Sequence, residues 1–192
     1  MEVFGQRGFR GGTLQQVAER VGGTPGAILK LFGSKENLLI AVLEHWGAVT
    51  SELVGFDNRG YQRLEGFMRL MSYHTEHVGL LQLYTTMAAE ATTIEHPAHD
   101  FMTNRYQTTL ADMRQLFRDG GAQGQFRRMS DDEIDREAQL LLATMDGLEV
   151  QFLLDPGTDL EGSFAHYVNL LTRRLAPQSE PEHAFEEEEH IS

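Results

Sequence analysis

The chain has 192 residues and a formal net charge of −13 at neutral pH, enough length for one or two compact units with a sizeable core. There is no cysteine, which excludes disulfides and thiolate zinc sites. No run of about 18 uninterrupted apolar residues occurs, so no membrane span is expected, and the start "MEVFGQRGF" lacks the cationic and apolar regions of a signal peptide, so the expected location is cytoplasmic.

The signals are helical from end to end, and no alternating strand pattern persists. A short first helix precedes the turn that begins at Arg7. Thr13 followed three residues later by Gln16 forms a capping box, and Leu14, Val17, Ala18 and Val21 then fall on one helical face. Gly22 and Gly23 end that helix. Thr24 caps the next, with Pro25 at its first position and Ile28 and Phe32 on its inner face. Ser34 caps a longer helix whose apolar stripe holds Leu38, Leu39, Val42, Leu43 and Trp46. Three further helices are expected over residues 61–77, 79–94 and 97–121, with Gly120, Gly121 and Gly124 marking a loop. Ser130 caps a helix with three acids in its first turn and Pro156 just past its end. A last helix covers residues 160–176, and Pro177 closes it. Residues 177–192 hold six glutamates and no Lys or Arg. This tail is too polar to pack and is expected to be disordered.

The charge is unevenly placed. Residues 1–36 carry Arg7, Arg10, Arg20, Lys30 and Lys35 against Glu2, Glu19 and Glu36, a net of +2. Local charge near phosphates counts more than the total. A head this weakly basic on an acidic body is therefore compatible with nucleic acid only at modest affinity and with marked salt sensitivity.

Two short helices joined by a glycine turn and followed by a capped third helix have helix-turn-helix organisation. A compact structural bundle would show the same spacing. The residues Gly8, Phe9, Thr13, Val17, Ala18, Gly22, Thr24, Gly26, Phe32, Ser34, Lys35, Glu36 and Leu38 narrow the choice, because in this order and spacing the segment resembles the N-terminal domain of TetR-family transcriptional regulators. That resemblance implies an all-α fold. Residues 1–46 would form a three-helix helix-turn-helix DNA-binding domain, and residues 47–176 a larger helical ligand-binding and dimerisation domain. It further implies a homodimer on near-palindromic double-stranded operator DNA, released by a small-molecule effector, with no cofactor. Two departures thin the expected grip on DNA. The family pattern places tyrosine where this chain has Leu29, and often histidine or tyrosine where it has Leu31; both usually contact the DNA backbone. The first helix is also shorter than the family's. The alternative is a binding or scaffold protein that kept the fold and lost tight DNA binding.

The candidate DNA-binding residues are Thr13, Thr24, Pro25, Gly26, Ala27, Leu29, Lys30 and Lys35. Thr13 and Thr24 begin helices, where hydroxyls and free N–H groups can face a phosphate, although capping alone would explain both. Lys35 sits in a first turn, where a cation opposes the helix dipole, and phosphate binding supplies a reason for it. Only Lys30 offers the bases a long donor, while Ala27 and the Thr24 methyl suit thymine methyl groups. With no Arg, Asn or Gln on this face, specificity rests partly on DNA shape.

In the second half, the helix at residues 130–154 is apolar almost all round and must be covered on two sides. Paired with the last helix it suggests a four-helix dimer interface through Leu141, Met145, Phe152, Phe164, Tyr167 and Leu171, with Gly147 permitting a close crossing. A purely intramolecular core is the alternative. The middle helices are rich in Met and aromatics, so Phe67, Met71, His74, Tyr84, Met87, Phe101 and Tyr106 are the candidate pocket for an apolar effector; for any one of them ordinary core packing also serves. His74 with His77 and His96 with His99 have ligand spacing for zinc or nickel, but Pro97 and a helix start interrupt the second pair, and no metal site is expected. No nucleophile–base or paired-acid spacing points to an enzyme.

Overall fold

Side-chain caps set most helix starts in the computed structural model, which describes residues 1–55 and 58–177. The described elements are all helical: α1 (Glu2–Gly11), α2 (Leu14–Val21), α3 (Pro25–Phe32), α4 (Lys35–Val54), α5 (Tyr61–Glu76), α6 (Val78–Glu90), α7 (His99–Ala122), α8 (Asp131–Leu154) and α9 (Leu160–Arg174). The Thr13–Gln16 capping box opens α2, Thr24 accepts from Ala27 N at 3.2 Å, and Ser34 accepts from Asn37 N at 3.0 Å. Ser130 and Glu133 form a second capping box on α8. Among the described residues no helix is long and apolar enough to cross a membrane. The acidic tail from residue 178 onward lies outside the described residues.

Three boundaries differ from the sequence reading. α1 does not stop at Arg7: it kinks at Gly8, whose φ of 66° only glycine adopts cheaply, and runs on to Gly11. α6 ends at Glu90, and turns fill residues 91–98. α7 runs through Gly120 and Gly121 to Ala122, so of the three glycines expected in the loop only Gly124 lies outside the helix. Gly120 is there for space, since a Cβ would strike the Phe126 ring.

Two hydrophobic cores result. One joins Leu64, Met71, Met113, Phe117, Leu141, Phe164 and Leu171 across α5, α7, α8 and α9. The other joins Phe4, Ala18, Ile28, Leu39 and Trp46 to Leu83, Met87 and Met102. The head is therefore continuous with α6 and α7. α1 lies directly on α6: a Cβ at Gly5 would sit 2.9 Å from Leu83 N and 3.1 Å from Gly79 O, and Thr86 Oγ1 donates to Gly5 O at 3.1 Å. α4 also runs unbroken past residue 46, so head and body share a helix.

Candidate functional site

α3 turns Ile28 inward and leaves Thr24, Gly26, Ala27, Leu29, Lys30 and Leu31 exposed, with Pro25 half-buried. Leu31 is 76% exposed and Leu29 43%. Neither leucine belongs to the head's core, so both present bare apolar surface on the helix expected to face DNA. Thr13 is exposed with its hydroxyl engaged in the capping box. Lys35 is half-buried, its Nζ 4.4 Å above the Phe9 ring centroid, which draws it toward the protein by cation–π attraction. Arg20 pairs with Glu2. Arg7, Arg10 and Lys30 remain exposed and form no ion pair among the described residues.

A latch joins the kink of α1 to the end of α6. Phe9 N donates to Glu90 Oε2 at 2.9 Å, and His96 Nε2 lies 3.2 Å from the same oxygen. A Cβ at Gly8 would meet the Glu90 carboxylate. The kink in α1 thus exists to bring its backbone against the end of α6. At the other end of the head, Asn37 Nδ2 donates to Phe32 O at 3.1 Å, tying the close of α3 to the start of α4.

A small, half-open cavity of about 60 Å³ lies between α4, α5, α6, α7 and α8. Of the expected pocket residues, Phe67, His74 and Tyr84 line it. Tyr106 lines an adjoining cleft together with Tyr84, Asp146 and Glu149. Three expected residues do not line it. Met71 and Met87 are fully buried core residues, and Phe101 is partly buried against the core of the head. Apolar periodicity marks the inward face of a helix and does not reveal whether the space before it is filled.

The sequence reading missed the cavity's charged walls: Arg63, Arg105, Asp112, Asp146 and Glu149. One signal was readable. Glu149 continues the buried series Ala138, Leu141, Leu142 and Met145 on α8, so a carboxylate stands at a core position. It is paired with His74, Nδ1 to Oε1 2.8 Å, with both side chains almost wholly buried. Arg63 pairs with Asp112 at 2.9 Å. Asp146 accepts from the Tyr106 hydroxyl at 2.8 Å; burial pushes its carboxyl up to about 6, the Glu149 charge adds to the rise, and the tyrosine hydrogen bond opposes it. Burial likewise raises Tyr84 well above the usual phenol value and lowers Arg105. Trp46 stacks on Tyr84, centroids 4.7 Å apart, and Arg105 covers Trp46 at 5.1 Å. His77 and His99 hydrogen-bond to the backbone carbonyls of Tyr73 and Ala91.

Most of the residues expected at the dimer face lie inside the subunit. Leu141, Met145, Phe164 and Leu171 are buried within the subunit's own core, and Phe152 and Tyr167 are half-buried. The apolar surface open to a second copy is the opposite side of α8. There Leu140, Val150 and Leu154 are exposed, and Ala143 and Gly147 lie between them. On α9, Leu170 is likewise open, at 52% exposed. A two-faced helix signals that a second cover is needed, but periodicity does not say which face the chain covers for itself.

Residues 1–42 match the sequence profile of "Bacterial regulatory proteins, tetR family". No curated protein sequence matches the chain. Among solved structures, the chain is similar to a transcriptional regulator from Rhodococcus sp. Rha1, with TM-score 0.71, 18% identity, and 91% of this chain and 90% of that one covered. It is also similar to the TetR-family regulator PfmR from Thermus thermophilus, with TM-score 0.65, 20% identity, and coverage of 90% and 93%. SmeT, solved as a complex with triclosan, aligns with TM-score 0.73, 19% identity, and 93% of each chain covered. At these identities the likeness establishes the fold.

Proposed function

We propose that this chain, a TetR-family regulator by its N-terminal domain and its fold, is a homodimeric repressor that binds a near-palindromic operator and is released by a small-molecule effector. Residues 1–46 form the DNA-binding head and residues 47–176 the effector-binding and dimerising body. One observation carries this reading: Trp46, a wall of the cavity, lies on the same helix that begins at Lys35 immediately after α3. From Lys35 to Trp46 that helix spans about 16 Å at 1.5 Å per residue. Side-chain shifts around an incoming effector therefore act on a rigid lever tied to the end of α3 through Asn37. The Glu90 latch gives a second connection, through α6 and α1. SmeT, with the same fold, was solved with a small molecule bound, which supports effector binding.

Two heads of a dimer must meet successive major grooves, about 34–36 Å apart, so a small tilt of α4 spoils the fit. Thr24, Gly26, Ala27, Leu29 and Lys30, with Pro25, meet the groove, and Thr13 and Lys35 flank it. The dimer closes through Leu140, Val150, Leu154 and Leu170, with Gly147 at the crossing, where a Cβ would meet nothing within 4 Å. Exposed Leu31 favours a second reading, a regulator-like fold that docks a protein instead of DNA, because a bare leucine adds nothing to a phosphate grip.

Selection of bound duplexes from genomic fragments by purified protein separates the two. The repressor reading requires enrichment of a two-fold symmetric sequence, and failure to enrich any duplex at low salt rules it out. An effector found afterwards must bind free and operator-bound protein with different affinities, as linkage demands.

A further inference from the structure

We infer that the effector is an organic acid, with its carboxylate held by Arg105 and the Trp46 indole N–H and its apolar body along Val54, Phe67, Leu70, Leu142 and Met145. The inference rests on the reading of the cavity as the effector site. Charge pairing on the walls singles out two groups. Arg63 has Asp112 and His74 has Glu149, which leaves Arg105 and Asp146 outside any direct ion pair among the described residues, Asp112 acting on Arg105 only from a distance. Arg105 has no carboxylate within 4 Å among the described residues. It donates only to hydroxyls, Nη2 to Thr50 Oγ1 at 3.1 Å and Nη1 to Ser51 Oγ at 3.2 Å. A guanidinium has five N–H donors in a fixed fork, so part of the fork is open.

Asp146 and Arg105 are not equivalent. Asp146 accepts a good hydrogen bond from Tyr106 and can shed its charge by taking up a proton. A guanidinium cannot shed its charge in a protein, so Arg105 is the group that needs an external anion. A second, independent observation agrees. Trp46 is 3% exposed and its Nε1 has no hydrogen-bond partner, and a buried donor left unmatched requires an acceptor from outside the chain. Trp46 and Arg105 line the same cavity, with the guanidinium carbon 5.1 Å from the indole ring centroid, close enough for one carboxylate to serve both. Carboxylate and guanidinium geometries match in bidentate fashion.

The test uses the full chain and three probes with one apolar body: octanoate, octan-1-ol and octylamine. Trp46 is the protein's one tryptophan, so its emission reports from the wall of the site. Octanoate should shift that emission saturably and bind about 10- to 100-fold more tightly than octan-1-ol, the range for hydrogen bonds to a charged group. Arg105→Gln should bring octanoate down to the octan-1-ol level, and Arg105→Lys should recover part of the loss. Retained octan-1-ol binding and an unchanged melt in Arg105→Gln show that the cavity is intact. Equal binding of octanoate and octan-1-ol by the parent protein overturns the inference and leaves the effector reading standing. Tighter binding of octylamine, lost in Asp146→Asn, overturns it in favour of a cationic ligand. No response to any of the three overturns both the inference and the effector reading.

Discussion

Asp146 shows what the cavity costs. Its carboxyl titrates near 6, against 3.8 ordinarily, because burial disfavours the charged form. With the folded value raised, the folded chain holds the proton more tightly than the unfolded chain. Stability is then full at low pH, falls as pH rises from about 4 to about 6, and stays reduced above. The cost at neutral pH is about 2–3 kcal/mol at most. Asp146→Asn keeps an acceptor for Tyr106 and removes the charge, so it should raise the melting temperature near neutral pH and give no gain at about pH 4. Equal gains at both pH values would mean that the charge is not the cause. A second residue-scale prediction concerns Leu29 and Leu31, both exposed. Leu29→Tyr with Leu31→His should strengthen binding to operator and random duplex alike by about 2–4 kcal/mol over a dimer, roughly 30- to 1000-fold, because phosphates carry no base identity. As neither side chain is in the core, the melting curve should not move. Unchanged affinity in anisotropy titrations would mean that these positions do not face the backbone.

At the scale of elements, α8 has two apolar faces with different duties. Leu141 is fully buried inside the subunit, whereas Leu154 is 81% exposed. Leu141→Glu places an unpaired charge in the core at a cost of several kcal/mol and should unfold the chain. Leu154→Glu together with Leu140→Glu should leave the melt of the subunit fold intact and yield monomers in sedimentation. Dimers that persist in the double variant would place the interface elsewhere. α1 has a comparable division of labour. Gly5 allows it to lie on the α6 backbone and Gly8 kinks it around Glu90, so this short helix both completes the head and fastens it to the body.

For the whole molecule, that fastening decides how head and body move together. Glu90 is the acceptor for Phe9 N and the neighbour of His96. Glu90→Ala strands a half-buried N–H, a loss of about 1–3 kcal/mol, and local opening follows local stability. Hydrogen exchange should therefore quicken in residues 2–11 while α8 and α9 keep their protection. Equal acceleration throughout would show that Glu90 supports global folding and is no joint.

Local chemistry was legible in the sequence because its causes are local. Thr13 with Gln16, Thr24, Ser34, and Ser130 with Glu133 fix helix starts through bonds spanning three residues. The glycines and the inward spacing of Ile28, Leu38 and Leu43 likewise determined the helical head. What stayed hidden were pairings between residues far apart in the chain. His74 meets Glu149 across 75 residues, and Phe9 N meets Glu90 across 81. Periodicity told which side of α8 is apolar twice over, but only the packing of α9 and α5 decided that Leu141 and Phe164 are used up inside the subunit while Leu154 is left bare. The same holds for the cavity. Met71 and Met87 look like pocket residues in one dimension, yet neither lines the cavity. The open space lies beside Arg105, Trp46 and Asp146, because whether a void remains depends on the shapes of five helices at once, which no single segment of sequence contains.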